Sequence, residues 1–278
     1  MQTQMKLETL AGNEWEVYTA QSEPQLLHFY EPELGLFIAE SPNVIERAVA
    51  AGYEPVSFLL DEKEVTPQLR QLYESCPEAS VYFAPTALMD TLPGCHLTRG
   101  VLCLMRRKAL PSVAEICKEA HRIAVLENVM NPTNLGAIFR SAAALGFDAV
   151  IMTDDCSNPF YRRASRVSMG TVFQIPWTYF PYPTDYRSAE KHYIPMLHEM
   201  GFQTAAMALS DDSIALDDPV LRSAGKLAVL LGSEFTGLHP ETVRRSGFVV
   251  KIPMAHGVDS LNVAAASAVA FWELRFRN

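Results

Sequence analysis

A chain of 278 residues is longer than one ordinary domain and suits two, since domains usually run to roughly 100–150 residues. With 49% hydrophobic and 20% charged residues it has the make-up of a folded globular protein, which excludes the disordered and fibrous classes. The formal net charge of −9 counts against nonspecific nucleic-acid binding, but it is uneven: residues 1–110 hold 8 Lys/Arg against 15 Asp/Glu, residues 111–278 hold 15 against 17.

From Ser22 helix and strand alternate. A helical stretch to about Tyr30 precedes a short strand at Leu36–Ala39, and Ser41-Pro42, an N-cap followed by proline, opens a helix that stops at Gly52. Strand-like runs at Val56–Leu60, Val81–Phe83 and Gly100–Leu104, with helical segments between them, predict a small α/β domain over residues 1–105. Residues 106–119 begin with Arg106-Arg-Lys108, contain Pro111 and lack strong periodicity; they read as a linker with at most one short helix.

A second alternation fills residues 120–278. Arg122–Leu126 is a strand, Thr133 caps a helix to about Leu145 that Gly146 stops, and Ala149–Met152 is the next strand. Further strands are expected at Thr204–Leu209, Leu227–Leu231 and Phe248–Ile252, and an alanine-rich helix, Asn262–Leu274, closes the chain. Apolar strands alternating with helices predict a parallel sheet covered on both faces.

Several functions lack their signatures. No apolar run approaches the roughly 18–20 residues that span a bilayer, and Met1–Lys6 has no signal-peptide core, so a cytoplasmic protein without a membrane partner is expected. The five cysteines (Cys76, Cys95, Cys103, Cys117, Cys156) are scattered and read as reduced thiols, and the closest histidines, His192 and His198, are six apart; neither set has metal-ligand spacing, so no metal is expected. No Gly-x-Gly-x-x-Gly or Walker loop follows any strand.

Three stretches are unusual for scaffold. Asn128–Arg140 sets asparagines ahead of a helix and an arginine six residues after Asn134; Leu231–Leu238 holds a glycine-flanked Glu234 after an apolar strand; Ile252–Val263 places Ser260 and Asn262 before an apolar helix. All three follow predicted strand ends, where open α/β sheets put ligands. In order and spacing they resemble the three motifs of the SpoU (TrmH-type) RNA 2′-O-ribose methyltransferases of the SPOUT superfamily, over roughly residues 120–278. Residues 1–105 resemble, less specifically, the ribosomal-protein-like substrate-binding domain that many members carry.

The resemblance implies an α/β methyltransferase domain whose parallel sheet ends in a deep trefoil knot, a homodimer completing each site, S-adenosylmethionine as cofactor and rRNA or tRNA as substrate. It implies catalytic roles for Asn134, Arg140, Glu234, Ser260 and Asn262, and a cofactor pocket of Leu209, Gly232, Glu234, Ile252, Met254 and Leu261. Arg140 would grip RNA phosphate or act as base; a guanidinium holds its proton so firmly that positioning is the favoured role. Arg162, Arg163 and Arg166, beside Tyr161, suit RNA phosphates and a base, or form a solvated helix face. Asn134, Ser260 and Asn262 are equally suited to capping helices. Phe271–Phe276 is either core or a dimer surface. An RNA-binding protein of the same fold without catalysis is the alternative, and the acidic first domain leaves open whether it meets RNA or protein.

Overall fold

The computed structural model describes residues 2–28, 34–92, 100–210 and 212–276. They form two compact units, one from residues 1–109 with 160–173, the other from residues 110–159 with 174–278. The segment 160–173 thus groups with the first unit, which a reading in strict chain order does not anticipate.

The first unit contains β1 (Gln4–Lys6), α1 (Glu16–Thr19), α2 (Glu23–Leu27), β2 (Leu36–Glu40), α3 (Pro42–Ala50), β3 (Pro55–Asp61), α4 (Pro67–Glu74), β4 (Ser80–Ala84), α5 (Thr86–Met89) and β5 (Val101–Arg106). The sheet order is β1-β4-β3-β5-β2, parallel except that β5 runs antiparallel to both β2 and β3. One face packs Trp15, Tyr18, Leu26, Ile38, Leu59 and Leu102 into a core. Two expectations need adjustment. The helix after Ser22 is described only to Leu27, and Tyr30, like Cys95, lies outside the described residues. Ser41 has φ 86° and makes no side-chain cap bond, so proline alone marks the start of α3.

The second unit opens with α6 (Val113–Cys117), the short helix expected in the linker, then β6 (Arg122–Leu126), α7 (Pro132–Ala144) and β7 (Ala149–Met152). The chain next forms α8 (Arg162–Val167) in the first unit. It continues with β8 (Trp177–Tyr179), α9 (Tyr193–Glu199), β9 (Gln203–Met207), β10 (Ile214–Ala215), α10 (Pro219–Ser223), β11 (Leu227–Leu231), α11 (Pro240–Arg245), β12 (Phe248–Lys251) and α12 (Val263–Leu274). The seven strands are all parallel, in the order β10-β12-β9-β11-β6-β7-β8. Every residue of β6, β7 and β11 is buried, which is why, apart from Arg122 at the start of β6, their sequences read as unbroken apolar runs rather than alternating ones.

The cap of α7 is Asn131, not Thr133: the Asn131 carboxamide accepts from the Thr133 amide at 2.8 Å, and Pro132 takes the first helical position. At the other end of the unit Arg122, 2% exposed, donates through Nε to the Leu274 carbonyl at 2.7 Å and so fixes the last turn of α12. Along α12, Phe271 and Leu274 are buried while Val269 and Trp272 are exposed, as is Phe276 beyond it, so this stretch is both core and surface. No helix among the described residues is long and apolar enough to cross a membrane.

Candidate active site

A chain of hydrogen bonds joins the three unusual stretches. Glu234, in the loop after β11, accepts from Asn134 Nδ2 at 3.0 Å and from the backbone amides of Asn131 at 3.2 Å and Met130 at 3.4 Å. Asn262 Nδ2 donates to Asn134 Oδ1 at 3.2 Å, and Asn262 Oδ1 accepts from the Ala264 amide at 3.0 Å, capping α12. A carboxylate that only accepts sits at one end and a backbone N–H that only donates at the other, so both amides have one consistent orientation. The carboxylate also lies at the amino terminus of α7, where a negative charge is favoured by the helix dipole.

Asn134 is therefore a linker between two loops and no cap, whereas Asn262 is a cap and a linker at once. Asn134→Asp would set a second carboxylate against Glu234. It is expected to cost about 2 kcal/mol at pH 8, with stability recovering as pH falls and the pair takes up one shared proton; thermal melts across pH 5–8 measure this, and a pH-independent loss would contradict it.

Beside this chain, beyond the carboxyl ends of β9, β11 and β12, lies a cavity of about 740 Å³. Leu209, Gly232, Glu234, Ile252, Met254 and Leu261, the six residues expected to hold cofactor, all line it, as do Ser260 and Asn262. Gly232 cannot carry a side chain: a Cβ there would overlap the Gly237 carbonyl carbon and the Leu238 amide nitrogen. That close approach follows from the turn, in which Ser233 and Gly237 exchange backbone hydrogen bonds at 3.1 and 2.9 Å. Arg244, Lys251 and Asp259 add charged groups to the lining that the sequence reading did not single out.

Arg140 is not in that lining. It is exposed on α7, without hydrogen bond or ion pair among the described residues. Six residues of α-helix turn it about 120° away from Asn134. Ser260 is exposed at the rim and makes no hydrogen bond among the described residues. Among these residues no group of three or more His, Cys, Asp or Glu side chains is placed to hold a metal ion.

The arginine cluster of α8 stands in the first unit. Arg162 Nη2 and Arg166 Nη1 bind the two oxygens of Glu40 at 3.0 and 2.9 Å, and the Arg162 amide donates to Glu23. Glu40 is buried, Arg162 nearly so, and Arg166 and Arg163 are exposed. These residues line a cavity of about 430 Å³ with Tyr18 and Glu23. Glu40→Gln is expected to lower stability by about 2 kcal/mol, the loss of a buried pair discounted for the exposure of Arg166; an unchanged melting midpoint would contradict it. Of the other basic run, Arg107 is buried and donates to the Leu27 carbonyl at 3.0 Å, which makes it scaffold.

Sequence reasoning also passed over Glu127, a buried acid one residue after β6. The signal is in the sequence: an acid close behind an apolar strand, the same pattern as at Glu234.

The sequence profile described as the SpoU rRNA Methylase family matches residues 121–272. The chain belongs to the SpoU rRNA methylase family. Its relatives include an uncharacterized tRNA/rRNA methyltransferase of Mycobacterium bovis, 38% identical over 86% of this chain and 80% of the relative. The 23S rRNA (guanosine-2′-O-)-methyltransferase RlmB of Vibrio vulnificus is 34% identical over 54% of this chain and 56% of that protein. An AdoMet-bound rRNA methyltransferase from Sinorhizobium meliloti shares the fold over 98% of this chain and 97% of that one, with a TM-score of 0.79 at 22% identity. The SpoU match contains Asn134, Arg140, Glu234, Ser260 and Asn262, and stops short of the first unit's sheet.

Proposed function

We propose that this protein transfers a methyl group from S-adenosylmethionine to a ribose 2′-hydroxyl of ribosomal or transfer RNA, as a cytoplasmic homodimer. The observation that carries the reading is the Glu234–Asn134–Asn262 chain set beside the 740 Å³ cavity. Small-molecule sites run to roughly 300–1,000 Å³ with mostly apolar walls and a few placed polar groups. Leu209, Ile252, Met254 and Leu261 suit the adenosine, while the backbone around Gly232, which leaves no room for a side chain, suits its close approach.

When bound, the cofactor supplies an electrophilic methyl on a sulfonium. The chain's own work is alignment. Glu234 ties the loop after β11 to the first turn of α7, Asn134 and Asn262 tie that turn to α12, and the Ser260 hydroxyl stands free at the rim to meet substrate. Holding two reactants in line lowers the barrier without any covalent intermediate.

Arg140 supports the dimer. It does not line its own cavity and is exposed, which suits gripping RNA phosphate at the cavity of a second copy, and exposed Val269, Trp272 and Phe276 offer apolar surface for one. Gripping is preferred to proton abstraction because a guanidinium does not give up its proton near neutral pH. Arg163 and the exposed side of Arg166 are further phosphate contacts, and the first unit is the RNA-recognition domain. The strand order, in which β12 lies outside β9 while α12 returns to pack on α7 and β11, supports a knotted carboxyl-terminal segment. Four buried free cysteines fit a reducing cytoplasm.

Incubation with methyl-labelled cofactor and separate rRNA and tRNA pools, followed by digestion to nucleosides, tests the reaction. Label in 2′-O-methylnucleosides is expected, and label in base-methylated nucleosides alone would refute it.

A further inference from the structure

Glu127 takes no part in the chain described above, yet it is 1% exposed and carries more directed hydrogen bonds than any site residue but Glu234. Its Oε1 accepts the His239 amide at 2.6 Å, and its Oε2 accepts the hydroxyls of Tyr193 at 2.8 Å and Thr242 at 2.5 Å. Thr242 gives its only hydroxyl proton to Glu127, so its oxygen accepts from His192 Nε2 at 3.1 Å. His192 Nδ1 in turn accepts from the Ile194 amide at 3.2 Å. The imidazole is thereby a neutral Nε2–H tautomer, in keeping with burial and Arg245 pushing it down to about 4. Three protons are aimed at the one carboxylate, and His192 and the Ile194 amide orient the Thr242 hydroxyl behind them.

The backbone of the same residue is equally committed. The Glu127 amide donates to the Leu231 carbonyl at 2.9 Å. Glu127 therefore holds both ends of the loop 232–238: its amide holds the last residue of β11, and its carboxylate holds His239 and Thr242 at the start of α11. That loop carries Gly232 and Glu234, and together with α11 it gives the cavity Leu238, Pro240 and Val243. A helix of six residues has little stability of its own, so its first turn stays where its anchor puts it.

We infer that Glu127 is a positioning residue for the cofactor, acting through the loop 232–238 and the first turn of α11. This rests on the reading that the cavity holds S-adenosylmethionine. Burial pushes the Glu127 carboxyl up while its three donors pull it down, so the fold keeps a costly group where an apolar residue would fill the space. What the carboxylate adds is direction: two oxygens set against three donors from two helices and a loop.

The test is calorimetry of S-adenosylhomocysteine binding together with steady-state methylation. Glu127→Gln keeps the shape but turns an acceptor into a donor that must face one of those protons. It is expected to weaken S-adenosylhomocysteine binding roughly ten-fold and to raise KM for the cofactor alike. kcat at saturating cofactor should stay within a few-fold of wild type. Thr242→Val, which removes one donor only, should show the same split in milder form, and Thr242→Ser should restore wild-type binding even if Glu127→Gln does not fold. A lowered melting midpoint with unchanged affinity in these variants would make Glu127 mere scaffold and overturn the inference. If the wild type binds no S-adenosylhomocysteine, the reading of the cavity itself fails and the inference with it.

Discussion

Arg140→Ala is expected to lower kcat/KM for RNA methylation about a hundred-fold, the scale set by removing one donor that stabilises a reacting group, while leaving the fold and cofactor affinity intact. The side chain is exposed and makes no hydrogen bond or ion pair among the described residues, so nothing in the fold depends on it. Because it lies outside its own cavity, its loss should be complemented in trans. Mixing Arg140→Ala subunits with Glu234→Ala subunits should recover activity in hybrid dimers, which contain one site with both residues supplied. Arg140→Lys should recover only part of the rate, since an ammonium cannot make the paired, planar contact to phosphate. Retained activity in Arg140→Ala, or none in the mixture when each partner is folded, would contradict this placement.

Gly232→Ala is the second large effect. The new methyl would overlap backbone atoms of Gly237 and Leu238, which cannot move without opening the Ser233–Gly237 pairing. Overpacking commonly costs about 1–3 kcal/mol, and a backbone obstruction belongs at or beyond the upper end. We expect a loss of about 3 kcal/mol and no measurable S-adenosylhomocysteine binding, since the displaced loop carries Glu234 and part of the cavity wall. A variant that binds with wild-type affinity would show that the turn is looser than its contacts require.

The sequence is legible where burial is complete. β7 and β11 have the predicted limits, Ala149–Met152 and Leu227–Leu231, because a strand buried on both faces is an unbroken apolar run bounded by polar residues. It is silent where elements are short: β8 has three residues, β10 has two, and α8, α10 and α11 have six or fewer, too few for any period to register. The cap of α7 was displaced from Thr133 to Asn131 because Pro132 occupies the first helical position, a rule available in the sequence and outweighed there by the threonine.

For the site, the residue types were legible and the partnerships were not. Asn134 and Glu234 are 100 positions apart, and Arg166 meets Glu40 across 126. A polar residue after a strand announces a loop near the sheet's carboxyl edge, but which loop it will face depends on the strand order. Hence Asn134, readable as a cap, is a bridge between loops, and two of the three α8 arginines, readable as free phosphate contacts, are paired with Glu40.

The most direct measurement is a map of ribose 2′-O-methyl sites across cellular RNA, made with the protein present and with it removed. A defined ribosomal or transfer RNA site is expected to lose its 2′-O-methyl group and to regain it with the wild-type protein but not with Arg140→Ala. An unchanged map, together with no S-adenosylhomocysteine binding, would contradict it and leave an RNA-binding protein of the same fold.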